Sequence, residues 1–206
     1  MTDQVLFQMC WRRRADLIGK HKFYVKNAKQ RLMIQFSEED IKAEADREGE
    51  KFLNDNQSRF NPDVHNGSEF LEMAGDVCDE RYQLLAEMRD ITRLSIISGF
   101  FYGWEKNLRQ WLADEVQHWH DEEETRRTIW KKNLSDLFEL LESFQWPLKS
   151  ASYFKDLDAC RLVVNVYKHG DGPSLSELAR SYPEFLEHPL GELCEWLEEK
   201  WSHDNL

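Results

Sequence analysis

The sequence has few of the residues that interrupt helices. Its 206 residues include 5 prolines and 9 glycines. The prolines fall where the apolar periodicity lapses, at Pro62, Pro147, Pro173, Pro183 and Pro189. Period-two alternation, which marks strands, is almost absent, whereas apolar spacings of three and four recur along the chain. We therefore predict an all-α fold, in which the prolines separate the helices.

Several chemical classes are excluded by what the sequence lacks. Its four cysteines, Cys10, Cys78, Cys160 and Cys194, form no CxxC pair, so neither a disulfide framework nor a zinc site is indicated. No P-loop, GxSxG or dinucleotide-binding glycine motif occurs. No apolar run has the length of a signal peptide or a membrane span. These absences predict a cytoplasmic protein with no metal, no cofactor and no membrane segment.

The charge is acidic overall but is unevenly distributed. The formal net charge is −12, which disfavours indiscriminate binding to nucleic acid or anionic membranes. Residues 1–35 nevertheless carry a net charge of +6, which leaves −18 for residues 36–206. We predict an N-terminal part, residues 1–67, made of a basic arm and an acidic helix. A helical body with a C-terminal helical extension follows over residues 68–206. The arm is either a solvated or partner-binding face, or a contact for RNA.

Local signals divide the chain into helices. Ser37 and Asp40 predict a capping box that opens an acidic helix ending near Asn54. Residues 54–68 are rich in turn formers and predict a loop, and a long helix starts at Ser68. Further helices are predicted at residues 135–144, before Trp146-Pro147, and at residues 190–201.

Two features within the long helical region have competing interpretations. Gly99 and Gly103 lie four residues apart, which favours close packing of a crossing helix. His118 and His120 suggest metal binding, but residues two apart on a helix point to nearly opposite sides. We therefore predict that these histidines lie on the surface at a helix end and bind no metal.

The candidate site lies on a helix predicted over residues 152–168. Arg161, Asn165 and His169 are spaced by four, so each drifts by only about 40° around the helix axis from the one before. Together they form one polar stripe that carries a cation, an amide and an imidazole. This combination is suited to binding a phosphodiester and moving a proton. Gly170 is predicted to end the helix in a left-handed conformation.

Each residue of the stripe also has a structural explanation. His169 is placed where the negative end of the helix dipole favours a protonated imidazole, but a histidine there also caps terminal carbonyls. Arg161 is three residues from Asp158 and could form a surface ion pair with it. Lys168 is either a supplementary phosphate contact or a complement to the dipole.

Ser174 and Glu177 predict a second capping box just beyond this stripe. It would open a short helix after the Asp-Gly-Pro turn.

On these residues, the chain resembles the HEPN superfamily over roughly residues 80–181. The aromatic-rich segment SGFFYGWEKNLRQWL, residues 98–112, is similar to the early long helix of that family. Asn165 and His169, followed by glycine, match its N-x-x-x-H signature. The family's arginine normally precedes the Asn directly, where this chain has Val164, and Arg161 leaves seven residues before His169.

The resemblance implies an up-and-down helical bundle that forms a homodimer, with residues 152–169 of two copies facing each other. It also implies a metal-independent endoribonuclease of toxin or host-defence type that acts on RNA. An antitoxin or defence protein would be its partner. In that activity His169 is the general acid/base, Arg161 stabilises the phosphorane and Asn165 orients the phosphate. The alternative is a catalytically inactive HEPN-like interaction or nucleotide-binding module.

Overall fold

The computed structural model describes residues 9–61, 64, 66–117 and 123–186. Within this part of the chain all regular structure is helical, which confirms the predicted all-α class, and no strand is formed. None of the described helices combines the length and apolarity needed to cross a membrane. The α-helices are Trp11–Ala28 (α1), Glu38–Asn56 (α2), Gly67–Gln117 (α3), Glu123–Lys131 (α4), Leu134–Ser143 (α5), Phe154–His169 (α6) and Pro173–Ser181 (α7).

Short helical turns connect some of these elements. A π-helical turn at Lys29–Met33 and a 3-10 turn at Ile34–Phe36 lead from α1 towards α2. Further 3-10 turns lie at Gln57–Arg59 and Pro183–Phe185. The predicted helix at residues 190–201 and the two histidines at 118 and 120 lie outside the described residues.

The chain divides into two compact units, with the boundary inside α3 between Phe100 and Phe101. We refer to Met9–Phe100 as the N-terminal unit and to the described residues from Phe101 onward as the C-terminal unit. The predicted division between residues 67 and 68 coincides with the start of α3. As a domain boundary it stays a prediction.

Local chemistry explains where α2 begins. The Asp40 backbone N–H donates to Ser37 Oγ at 3.1 Å, and Ser37 Oγ donates to Asp40 Oδ2 at 2.7 Å. Both bonds stabilise the first helical turn. The acidic residues there interact favourably with the positive end of the helix dipole. The predicted cap is therefore confirmed.

In the N-terminal unit, α2 is attached to α3 by a small apolar core and by ion pairs at its edge. Phe36, Ile41 and Leu85 are buried together, and partly buried Met33 and Tyr82 pack against them. At the edge of this core Arg89 pairs with Glu38 at 3.1 Å, and Arg81 pairs with Glu44. The Tyr82 hydroxyl also donates to Glu38.

The C-terminal unit has a larger core. Its most deeply buried large side chains come from four helices and are Trp111, Leu112, Leu137, Leu162, Val164 and Leu178. Arg109 on α3 is also buried. Its Nε donates to Glu105 at 2.8 Å, and its Nη1 donates to the carbonyls of Ile129 at 2.7 Å and Lys132 at 2.8 Å. A single buried cation thus satisfies carbonyls at the end of α4.

The helix predicted at residues 135–144 is α5. It begins one residue earlier, where the Asp136 N–H donates to the Asn133 side chain at 2.7 Å. It ends at Ser143, and Gln145 adopts a positive φ of 64°. The reversal thus precedes Trp146-Pro147.

Among the glycines that the structure describes, the closest helix contact lies at Gly49 rather than at the predicted pair. No described atom lies within 4 Å of where a Cβ would stand at Gly99 or Gly103, so the close-packing prediction for them is wrong. A Cβ at Gly49 on α2 would overlap Cys78 Sγ and lie 3.0 Å from the Ala74 carbonyl oxygen of α3. Gly49 therefore permits the close approach of α2 to α3.

The surroundings of Gly49 and Gly99 predict opposite effects on stability when each glycine is replaced by alanine. We expect Gly49→Ala to lower the free energy of unfolding by about 1–3 kcal/mol because the added methyl group overpacks the contact. Gly99→Ala is the matched control and should raise it by about 0.5–1 kcal/mol, since alanine restricts the unfolded chain. Urea unfolding followed by circular dichroism measures both. Equal stabilisation by the two substitutions would contradict the packing at Gly49.

Candidate functional site

The predicted stripe lies on α6, which runs Phe154–His169 and so confirms the expected helix within two residues. Ala159, Leu162 and Val164 are buried and anchor α6 in the C-terminal unit. The helix ends where Gly170 adopts a φ of 68°, and its N–H donates to the Val166 carbonyl at 2.7 Å. The predicted positive φ is confirmed, although a ψ of −144° places Gly170 outside the left-handed helical region. Residues with a Cβ adopt such a conformation only with strain.

After this turn the chain folds back along α6. Arg161 contacts Glu177 of α7, while Asp158, earlier in α6, contacts Tyr182, later in the chain. Lys155, earlier still, pairs with Glu184 at 2.6 Å. This inverse order of contacts defines an antiparallel hairpin, which we call the α6–α7 hairpin.

The start of α7 corrects one prediction. The helix begins at Pro173, with Gly172 as the N-cap residue and no side-chain capping bond, so Ser174 is not the cap. Proline is favoured at this first position because its φ is already helical and its missing N–H has no partner to lose. Glu177 is thereby left to contact Arg161 across the hairpin.

Arg161 is enclosed by acidic and phenolic groups. Its Nε donates to Asp158 Oδ1 at 2.7 Å, and its Nη2 donates to Glu177 Oε1 at 3.3 Å. The Tyr182 hydroxyl donates to the other Asp158 oxygen, Oδ2, at 3.0 Å. The side chains of Arg161 and Asp158 are only 11% and 14% exposed. The anticipated pairing of Arg161 with Asp158 thus occurs, in a half-buried network rather than at the open surface.

The titration of Tyr182 agrees with this network. Burial, followed by the hydrogen bond to Asp158, raises the pKa of Tyr182 above its ordinary value of 10.0. The phenol therefore keeps its proton and remains a donor to the carboxylate across the neutral range. Burial likewise raises the pKa of the nearby Cys160 thiol on α6, which disfavours the nucleophilic thiolate form.

The other stripe residues have different surroundings. Asn165 is half-buried, and within the described residues its side chain makes no hydrogen bond. His169 and Lys168 are exposed at the end of α6. The Lys168 ammonium lies 5.5 Å from the centre of the Tyr102 ring, in a cation–π contact.

The structure thus separates the ends of the predicted site. Eight residues at 1.5 Å each place Arg161 about 12 Å from His169 along the helix axis. One end of the stripe is covered by α7, whereas the other is open to solvent. Sequence reasoning identified Asp158 as an ion-pair partner but missed Glu177 and Tyr182 as members of the network. Their contacts depend on the register of the hairpin, which the local sequence does not indicate.

No group of three His, Cys, Asp or Glu side chains is placed to hold a metal ion within the described residues.

The network predicts a large stability effect at Arg161. We expect Arg161→Met to lower the free energy of unfolding by about 3 kcal/mol, because it leaves two carboxylates half-buried without a cation. Combining it with Asp158→Asn should cost less than the sum of the single changes, by about 1 kcal/mol or more. Lys168→Met, exposed on the same helix, is the control and should change it by less than about 0.5 kcal/mol. Equal effects of Arg161→Met and Lys168→Met would exclude a structural network.

Comparison with known proteins adds no further assignment. No protein-family model matches this chain, and no curated protein or solved structure matches it. The membership of the HEPN superfamily and the nuclease activity that it implies stay predictions.

Proposed function

We propose that this chain acts as a non-catalytic helical interaction module, the alternative that the HEPN resemblance left open. Its bundle would provide surfaces for a protein partner, and the α6–α7 hairpin would serve as a structural element. The observation that carries the proposal is the amount of large apolar surface exposed on two helices of the N-terminal unit. These side chains include Trp11, Ile18, Phe23 and Tyr24 on α1, and Leu71, Met73, Leu84, Met88 and Ile91 on α3.

Apolar exposure of this kind is typical of surfaces that bind other proteins. Single exposed apolar residues are common in any protein, but here several recur along the same helices. Trp11 is 73% exposed and Phe23 is 62% exposed, although aromatic side chains gain most from burial. A partner that covers them would bury this apolar surface, and the hydrophobic free energy gained would stabilise the complex.

The surroundings of Arg161 weaken the nuclease interpretation. A phosphodiester would have to displace Asp158 or Glu177 from the guanidinium and then lie beside both carboxylates. Like charges at such short distances repel, and partial burial strengthens the repulsion because screening by water is reduced. Arg161 is therefore better placed to stabilise the hairpin than to stabilise the negative charge of a phosphorane.

A metal-independent endoribonuclease of toxin or host-defence type is the second candidate function. The specific observation in its favour is the exposed end of α6, where His169 follows Lys168 and lies one turn beyond Asn165. In this reading His169 transfers a proton at the ribose 2′-OH or the leaving oxygen, and Lys168 contacts the phosphate. Arg161 would then act only after leaving its carboxylates, and an antitoxin would cover the site.

An RNA-cleavage assay distinguishes the two functions. We expect the purified protein to leave mixed cellular RNA intact in EDTA, with His169→Ala and wild type behaving alike, because the arginine needed for phosphorane stabilisation is already paired. His21→Ala, which removes an exposed histidine from α1, is the matched control.

Cleavage by wild type and by His21→Ala, but not by a folded His169→Ala protein, would overturn the interaction-module proposal. Equal cleavage by all three proteins would point to a contaminating nuclease, and repetition after further purification would then decide the question.

A further inference from the structure

Two helices of the N-terminal unit carry partly exposed apolar stripes with the same repeat. On α1, Trp11, Ile18 and Val25 are seven residues apart, and on α3 Val77, Leu84 and Ile91 are also seven apart. Seven residues complete almost two helical turns, so each set lies along one side of its helix. Ile18, Leu84 and Ile91 are 43%, 52% and 56% exposed, whereas Val25 and Val77 are half-buried. Spacings of this kind form the seams between paired helices.

The two stripes also have equal lengths. Trp11 to Val25 and Val77 to Ile91 each span 14 residues, which corresponds to about 21 Å along a helix. Met88 widens the α3 stripe and is itself exposed. The apolar stripes therefore match in length and in repeat.

The charges beside the stripes are opposite in sign and have the same spacing. Lys22 and Lys29 each lie four residues after an apolar position of α1, at Ile18 and Val25. Both lysines are exposed, as are Glu80 and Glu87 on α3. Within the described part of the chain, none of these four residues takes part in an ion pair.

On α3, Glu80 and Glu87 each lie three residues after an apolar position, at Val77 and Leu84. More widely, residues 11–33 hold eight Lys or Arg and one acidic residue, whereas residues 67–100 hold seven acidic and three basic residues. The surroundings of the two stripes are therefore complementary in charge.

We propose that the α1 stripe of one protomer packs on the α3 stripe of a second copy of this chain. This inference rests on the proposed interaction function and names the partner. Each copy carries both stripes, so a two-fold pairing brings each α1 against the partner's α3 and covers all four stripes at once. The apolar residues form the centre of each contact, and the lysines pair with the glutamates beside it.

A second copy fits these observations better than RNA or an anionic lipid surface. Either would attract the lysines of α1, but residues 36–206 carry −18 and would be repelled by further negative charge. Neither would cover the α3 stripe, whose neighbouring charges are acidic. This dimer also uses other helices than the pairing of residues 152–169 that the HEPN resemblance implies.

Charge reversal tests the contact directly. We expect wild type to sediment as a dimer, and both Lys22→Glu/Lys29→Glu and Glu80→Lys/Glu87→Lys to dissociate at least 10-fold more readily. Each variant would place like charges in both contacts of its own dimer. Lys and Glu have similar helix propensities, so the helices should persist. Asp46→Lys/Glu50→Lys on α2 makes the same charge change as Glu80→Lys/Glu87→Lys but away from both stripes, and it should leave the dimer intact.

An equimolar mixture of the two reversed variants provides the sharpest result. In a mixed dimer the acidic α1 of one variant meets the basic α3 of the other, and the remaining contact keeps its wild-type charges. We expect the mixture to form a dimer at concentrations at which neither variant does so alone.

Four outcomes would overturn the proposal: a monomeric wild type at all concentrations, reversed variants that remain dimeric, a mixture that stays monomeric, or equal dissociation of the Asp46→Lys/Glu50→Lys control. Binding of monomers to an oligoribonucleotide or to vesicles of phosphatidylcholine and phosphatidylserine would instead assign α1 to that ligand. Sedimentation is independent of RNA cleavage, so failure of the dimer and failure of the proposed function are distinguishable.

Discussion

The candidate site depends on the half-buried pairing of Arg161 with Asp158. Removing these charges from water is costly, and only nearby groups of opposite charge or hydrogen-bonding capacity offset that cost. Glu177 and Tyr182 supply such groups, but only if α7 folds back antiparallel on α6. The pairing therefore constrains the register of the hairpin, and the register in turn decides which part of the α6 stripe faces solvent.

This constraint changes what the Arg–Asn–His stripe can do. Viewed on α6 alone, the three side chains form one polar face suited to a phosphodiester. In the folded chain, Arg161 is held beneath α7, whereas His169 remains exposed about two turns away. Several large apolar side chains of α1 and α3 are exposed as well. The folded chain therefore does not present the three side chains of the stripe as one open polar face.

Features set by neighbours in the sequence were predictable, whereas those set by distant neighbours were not. The Ser37 cap and the positive φ of Gly170 depend on a few adjacent residues, and both were predicted. Glu177 had the correct spacing for a capping box, but its role depends on the register of α7 against α6. Gly49 permits close helix packing because Cys78 and Ala74 come near it in space. The charged sequence around Gly49 gives no signal of close packing, whereas the spacing of Gly99 and Gly103 suggested it where it does not occur.

The state of the Arg161 guanidinium tests the central claim most directly. A ¹⁵N–¹H spectrum of the arginine side chains, assigned with Arg161→Lys, reports its Nε–H before and after addition of an oligoribonucleotide blocked by 2′-deoxy substitution. If Arg161 belongs to the hairpin, this resonance exchanges slowly with water and does not move when RNA is added. A rapidly exchanging signal that shifts with RNA would contradict the account and return Arg161 to a phosphate-binding role.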